Sequence, residues 1–223
     1  MMTQKRRKLL QHLAEYIAAI EVNHAVRVAI DGVDTSGKTT LANELAEPLE
    51  ALGRPVIRSS VDGFHRTRQE RYAIGKDSPV GYYLDSFNNQ AVVEKLLQPL
   101  GQSKPAYYET AIFDFKKDRV NRSEPKTAVP GSVLLFDGVF LMRPELNPFW
   151  DVRVFLHVPL EEVLRRAEIR DKEFFGSEFR SKYHIRYIPG QKLYLQSVQP
   201  EKLADIIIDN SDFNDPRIIQ IRH

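Results

Sequence analysis

Cysteine is absent from this chain of 223 residues. That excludes a disulfide framework, a thiolate zinc site and a cysteine nucleophile, and is compatible with a cytoplasmic protein. Long apolar runs are missing too. No stretch approaches the roughly 18 apolar residues that a membrane-spanning helix needs. An excess of one charge sign is also lacking. Lys and Arg number 32 against 30 Asp and Glu, a net charge of +2, too small to argue for nucleic acid as the main partner. There is no internal repeat and no low-complexity segment. What remains is ordinary globular usage, 42% hydrophobic and 28% charged. With a prior of roughly 150 residues per domain, it predicts one domain with at most an appended element.

The start, Lys5-Arg6-Arg7-Lys8 before Leu9-Leu10, has the look of a leader peptide, but Gln11, His12 and Glu15 interrupt the apolar region and no small-residue cleavage site follows. The better reading is a helix. Leu9, Leu10, Leu13, Ile17 and Ile20 recur at helical spacing, which predicts an amphipathic helix over residues 1–24 packed on a domain spanning 25–223. The basic cluster is then a solvated helix start, although positive charge there opposes the helix dipole.

Strand-like and helix-like segments alternate beyond it. Val26–Ile30, Pro55–Val61, Val133–Phe136, Arg153–Val158 and Ile206–Ile208 read as strands; Thr39–Leu52, Ala91–Leu97 ended by Pro99, and Leu160–Lys172 read as helices. The wholly apolar Val133–Phe136 suits a strand buried on both faces of a parallel sheet. This alternation predicts an α/β fold, a three-layer doubly wound and mainly parallel sheet. Gly101–Gly131 reads as a long irregular loop, and Phe174–Pro200 as a lid or a solvated surface.

The strongest motif is Gly32-Val33-Asp34-Thr35-Ser36-Gly37-Lys38-Thr39, a G-x-x-x-x-G-K-[ST] loop between a strand and a helix. Its glycines let successive backbone N–H groups cradle phosphate oxygens, Lys38 reaches the outer phosphates and the Thr39 hydroxyl ligates Mg²⁺. The helix that follows aims its positive end at the same phosphates. Asp137, after an apolar strand, fits a second metal-holding position, and Gly138 would let the backbone pass close to a ligand. Asp62, before Gly63, is on spacing alone divided between a turn-forming residue and a group that takes a hydroxyl proton or helps hold the metal. Arg165, Arg166 and Arg170 near a helix end complement its dipole, or clamp a transferring phosphoryl group.

Taken in order, these residues resemble the uridine kinase and phosphoribulokinase family of P-loop kinases, from about Val26 to about Asp215. The resemblance is carried by Asp31 to Thr40, Asp62-Gly63-Phe64-His65-Arg66, Tyr83-Leu84-Asp85-Ser86-Phe87-Asn88 and Phe136-Asp137-Gly138-Val139-Phe140-Leu141. It continues through Trp150-Asp151 to Val158-Pro159, Arg165-Arg166 to Arg170-Asp171, and Ala204-Asp205-Ile206-Ile207-Ile208. It implies a P-loop kinase fold with a helical lid near 165–200, and an ATP- and Mg²⁺-dependent phosphotransferase. The acceptor it implies is a small-molecule alcohol, uridine or cytidine first and another riboside or sugar-like alcohol second. Gly32, Asp34, Thr35, Ser36, Gly37, Lys38, Thr39, Thr40 and Arg165 would bind the nucleotide. Lys38, Arg166 and Arg170 would stabilise the transferring group. Asp62 would be the general base, with Thr39, Asp137 and Asp62 around the metal. Asp85 and His65 would meet the acceptor, and Asn210 and Ser211 would border the adenine. A homo-oligomer is compatible with the family; nucleic acid and membrane are not expected partners.

The departures fall on the acceptor side. His65 stands where uridine kinases usually have Tyr, and Phe113-Asp114-Phe115-Lys116-Lys117-Asp118-Arg119 lacks the His that usually follows such a segment. Asp137 replaces the usual Glu. A switching GTPase is a weaker reading, because no N-K-x-D or T-K-x-D motif occurs. A nucleotide-binding module using the basic Phe174–Pro200 region gets little support from a charge of +2.

Overall fold

Runs rich in Val, Ile, Leu and Phe form the centre of one six-stranded sheet, because they can bury both faces only between two layers of helix. The computed structural model describes residues 2–104, 106–121 and 124–222. The strands are β1 (Val26–Gly32), β2 (Val56–Ser60), β3 (Val133–Asp137), β4 (Val152–His157), β5 (Ile206–Asp209) and β6 (Arg217–Ile221). They lie in the order β6-β5-β4-β1-β3-β2. The first five are parallel, and β6 runs antiparallel to β5. This is the doubly wound, mainly parallel architecture that the alternation predicts. β1 has β3 on one side and β4 on the other, so strand order reverses there. Such a switch point opens a crevice beyond the carboxyl ends of the strands.

The period-two pattern of the strands sorts their side chains between the layers. On one face Val26, Val28, Ile30, Val133, Leu135 and Val154 pack against α1 (Gln4–Ala18) and α2 (Lys38–Ala51) through Leu13, Ile17, Leu41, Leu45 and Leu49. On the other, Ala29, Leu134, Phe136, Phe155 and Ile207 meet Phe64, Leu96, Leu97, Trp150 and Tyr194. Leu9, Leu10, Leu13 and Ile17 are buried as their spacing predicts, and Ile20 lies just past the end of α1, half-buried against the same layer.

Several expectations change. The basic helix start is not wholly solvated: Arg6 is 1% exposed, turned inward where the segment after β5 meets α2. Pro99 does not end its helix; a helical run spans 89–100. Proline cannot donate to the carbonyl of residue 95, and that carbonyl accepts instead from the Glu109 N–H at 2.9 Å. The expected irregular loop 101–131 contains two short hairpins, Tyr107–Tyr108 with Lys126–Thr127 and Phe113–Asp114 with Arg119–Val120. The stretch 174–200 is mostly helical and is no solvated surface. Phe179, Tyr183, Arg186, Gln191 and Tyr194 within it are buried. β6 was not expected. Its Arg-Ile-Ile-Gln-Ile run pairs along an edge, with Arg217 and Ile219 exposed and Ile218, Gln220 and Ile221 half-buried.

Three further helices frame the crevice: α3 (Pro79–Asp85), α4 (Leu160–Phe175) and α5 (Ile188–Ser197). Glu161 and Glu162 occupy the first turn of α4, where they complement its dipole. Among the described residues no helix is long and apolar enough to cross a membrane. Leu13 on α1 is fully buried in the sheet layer, so Leu13→Ala is expected to cost about 2–5 kcal/mol in a single denaturant transition. A loss under about 1 kcal/mol would show that α1 is not part of the cooperative core.

Candidate active site

The carboxyl ends of β1, β2 and β3 each finish on an acidic residue or run into one: Asp31-Gly32, Val61-Asp62 and Asp137-Gly138. They surround a crevice of about 1180 Å³. Asp34, Gly37, Lys38, Thr39 and Thr40 line one end, and Asp62, His65, Phe87 and Phe115 line the other, with Arg166, Arg170, Tyr183 and Tyr187 along the side.

The loop from Gly32 to Lys38 needs its glycines. A Cβ on Gly32 would come within 2.7 Å of the Leu156 carbonyl oxygen. Gly37 has φ of +94°, and a Cβ there would meet the Asn210 amide nitrogen at 2.7 Å. Ser36 is fully buried. The Lys38 ammonium donates to the Val33 carbonyl at 2.7 Å and lies 3.5 Å from the Ser36 hydroxyl. Burial pushes its pKa down, while the carboxylates of Asp34, Asp31 and Asp137 oppose the shift. Gly138 lines the crevice and also approaches the Val61 side chain, which a Cβ would meet at 2.5 Å.

Thr39 at the first turn of α2 donates to Asp137 at 2.6 Å. The other oxygen of Asp137 accepts from Arg58 at 2.7 Å. A hydroxyl and a carboxylate side by side are the hard-oxygen donors that Mg²⁺ takes, usually completed by substrate phosphates and water. Among the described residues there is no group of three or more His, Cys, Asp or Glu that could hold a metal ion.

Asp62 leaves 60% of its side-chain surface toward the crevice. The crevice walls nonetheless desolvate it, and with the carboxylates of Asp137 and Asp34 they push its pKa up, while His65 and Lys38 act in the opposite sense. His65 stacks on Phe115 with ring centres 4.8 Å apart and tilts against Phe87 at 4.6 Å. Its Nδ1 lies 3.0 Å from the Asp62 carbonyl oxygen. Burial among these rings holds the imidazole below its usual pKa, with Asp62 pulling the other way.

The arginines separate. Arg165 turns outward, 64% exposed, onto Glu162 at 2.7 Å, so the structure does not bring it to the nucleotide end. Neighbouring residues on a helix point about 100° apart, and Arg166 takes the inward direction. It donates to Glu162, to the carbonyls of Asn210 and Ser211 at 2.7 and 2.8 Å, and to Thr35 at 3.4 Å. Arg170 lines the crevice and reaches the Tyr183 hydroxyl at 3.3 Å. Asp85 is the last residue of α3 and does not line the crevice; Tyr82 and Phe87 make that wall. Asn210 and Ser211 do not line it either. The Asn210 amide instead donates to the Ser36 carbonyl at 2.6 Å.

Other contributors carry no local signal. Asp34 is bracketed by α5 and α3: its N–H donates to Gln191 at 2.8 Å, and its carboxylate accepts from Gln191 and from Tyr82 at 3.1 and 3.2 Å. Arg58 could have been noticed only as an arginine in an otherwise uncharged strand. The expected lid over 165–200 is tied down at its start by Arg166 and further along by the buried Arg186, whose guanidinium meets the carbonyls of Gly75, Lys76 and Ser78.

No family model matches the chain. Curated uridine kinases match it at 23–27% identity. That of Chlamydia pneumoniae is 23% identical over 185 residues, covering 81% of this chain and 80% of that protein. A solved structure described as a possible uridine kinase from Bacillus stearothermophilus superposes with a TM-score of 0.70 at 27% identity, covering 90% of this chain and 97% of that one. The chain is a phosphotransferase with the P-loop kinase fold, similar to the uridine kinases. The phosphoribulokinase from Rhodobacter spheroides shares the fold, with a TM-score of 0.61 at 12% identity over 86% of this chain and 75% of that one.

The buried Asp31 sets a pH test of this phosphotransferase. Its carboxylate is fully buried and accepts from the N–H groups of Gly32, Leu141 and Met142 and from the Tyr194 hydroxyl. Burial pushes its pKa up to about 6, and the Tyr194 hydrogen bond pulls against that rise. Tyr194→Phe therefore raises the folded-state pKa further above the unfolded value. A group raised in this way costs stability only where it must ionise. The expected loss is about 1–3 kcal/mol at pH 8, shrinking as pH falls through about 6. Urea denaturation across that range measures it, and a pH-independent loss would contradict the assignment.

Proposed function

We propose that the protein transfers the γ-phosphoryl group of ATP to a hydroxyl of a small-molecule acceptor, with the 5′-hydroxyl of uridine or cytidine as the first candidate. The observation that carries this reading is the convergence of the phosphate loop, the Thr39–Asp137 pair at 2.6 Å and the open carboxylate of Asp62 on one crevice. The names of the relatives support the nucleoside.

Phosphoryl transfer asks little covalent chemistry of the protein and much positioning. The backbone of the loop and Lys38 hold the phosphates, and Arg170 faces them from α4. Arg166 holds the loop through Thr35 and the carbonyls after β5, which makes it a brace. Thr39 and Asp137 would hold Mg²⁺, which when bound neutralises the phosphate charge. Asp62 takes the proton of the attacking hydroxyl. Its raised pKa places the acid limb of kcat/KM above the ordinary carboxylate range: activity is lost as pH falls through that value, because the protonated group cannot accept. Asp62→Asn is expected to lower kcat by about 10²–10⁴-fold and abolish that limb, with ATP binding retained. Unchanged turnover would rule out the base assignment. ADP release screened over nucleosides and other alcohols, with Lys38→Ala as the inactive control and chelation of divalent ions as a second, tests the whole reading.

A second acceptor class has its own observation. Arg68, Lys76 and Lys116 line the acceptor end, and none of these side chains has a hydrogen bond or ion pair among the described residues. An alcohol that also carries an acid group would satisfy them. For such an acceptor, Lys116→Ala is expected to raise its KM about tenfold while leaving the KM for ATP unchanged; for uridine the same variant is expected to be nearly silent. A change in the ATP constant would remove Lys116 from the acceptor side.

A further inference from the structure

Arg6 is a long cation on a helix whose inward face is otherwise Leu, Ala and Ile. Its Nε donates to Glu44 on α2 at 2.7 Å, and its Nη1 donates to the Asn210 side-chain oxygen at 3.3 Å and the Phe213 carbonyl at 3.2 Å. The guanidinium also lies over the Phe213 ring at 3.9 Å. Its Nη2 is buried with no hydrogen-bond partner among the described residues. An unmade buried hydrogen bond is costly, so an apolar residue would serve packing better. What the arginine adds is its polar partners, and one of them, Asn210, touches the phosphate loop.

An amide side chain has one acceptor end and one donor end. Arg6 occupies the acceptor end of Asn210, so the donor end faces the phosphate loop, where it meets the Ser36 carbonyl at 2.6 Å. The peptide that follows is trans, and a trans peptide directs its C=O and N–H to opposite sides. With the Ser36 carbonyl held toward Asn210, the Gly37 N–H is turned away from it. Among the described residues that N–H meets no protein acceptor, and Gly37 lines the crevice. We infer that Arg6 is a positioning residue for phosphate binding: through Asn210 and the Ser36 carbonyl it orients the Gly37 N–H toward the nucleotide phosphates. The N-terminal helix thereby takes part in the function of the site, in addition to covering the sheet. This inference rests on the reading of the crevice as an ATP site.

The test uses the full-length protein and calorimetric binding of MgATP, which needs no acceptor. Arg6→Met should keep the fold, weaken ATP binding and raise the ATP KM about tenfold, and leave the acceptor KM unchanged. Asn210→Ser, which keeps the Glu44 and Phe213 partners of Arg6, should weaken ATP binding by a similar factor. The double variant should be little worse than either, since both act through one carbonyl. Leu13→Ala controls for loss of stability and should leave ATP affinity unchanged. If Arg6→Met does not fold, Asn210→Ser carries the test alone. Unchanged ATP affinity in the folded variants, or additive losses in the pair, overturns the inference while the ATP reading stands. Failure of the wild-type protein to bind MgATP overturns both.

Discussion

Asp31 is a carboxylate without solvent contact at the point where the sheet becomes the site. Its oxygens gather donors from three separate parts of the chain: the start of the phosphate loop at Gly32, the turn after β3 at Leu141 and Met142, and α5 at Tyr194. A buried carboxylate left with unfilled lone pairs is expensive, so each of these segments is held by the requirement to satisfy it. The turn after β3 accepts strain to do so. Phe140 has φ of +67°, a region costing about 1 kcal/mol or more for a residue with a Cβ. Ring contacts offset this, with Tyr82, Tyr83 and Tyr194 each centred 5.2 Å from Phe140.

From that anchor the phosphate loop is braced on every side except the one facing the crevice. Gln191 and Tyr82 hold Asp34, Arg166 holds Thr35, Asn210 holds the Ser36 carbonyl, and Asp137 meets the Thr39 hydroxyl. These bonds come from α5, α3, α4, the exit of β5 and β3, so the loop is a junction of the whole domain. Preorganisation of this kind is what phosphoryl transfer requires, because donors already aimed at developing charge need no rearrangement during reaction. The acceptor end is built differently. His65 and Phe115 form an aromatic ledge there, and Arg68, Lys76 and Lys116 beside it pair with no protein carboxylate among the described residues, whereas Arg71 pairs with Asp118. The phosphate loop thus sits where the family resemblance puts it, while Arg165, Asn210 and Ser211 lie outside the crevice lining.

Much of this was legible in the sequence, and for local reasons. The strands that end on Asp31-Gly32 and on Asp137 are short, mostly apolar runs, and their pattern needs no knowledge of neighbours. Likewise the phosphate loop is contiguous, so its residues are necessarily together. Arg165, as a nucleotide-binding residue, and Arg166, as a catalytic one, were both expected at the phosphates, because a linear sequence does not show which of two adjacent helical residues faces inward. Asp85 was placed by a motif, whereas the wall of the crevice is set by how α3 packs, and that packing presents Tyr82 and Phe87.

By itself the sequence determined the parallel α/β class and the phosphate loop, since the one follows from periodicity and the other from glycine and lysine at fixed spacing. Only the tertiary structure decided that Arg6 is buried against Asn210, that Arg58 caps Asp137, and that Gln191 and Tyr194 grip the loop. Those pairs are separated by tens to hundreds of residues, and burial of one partner is what compels it to find the other.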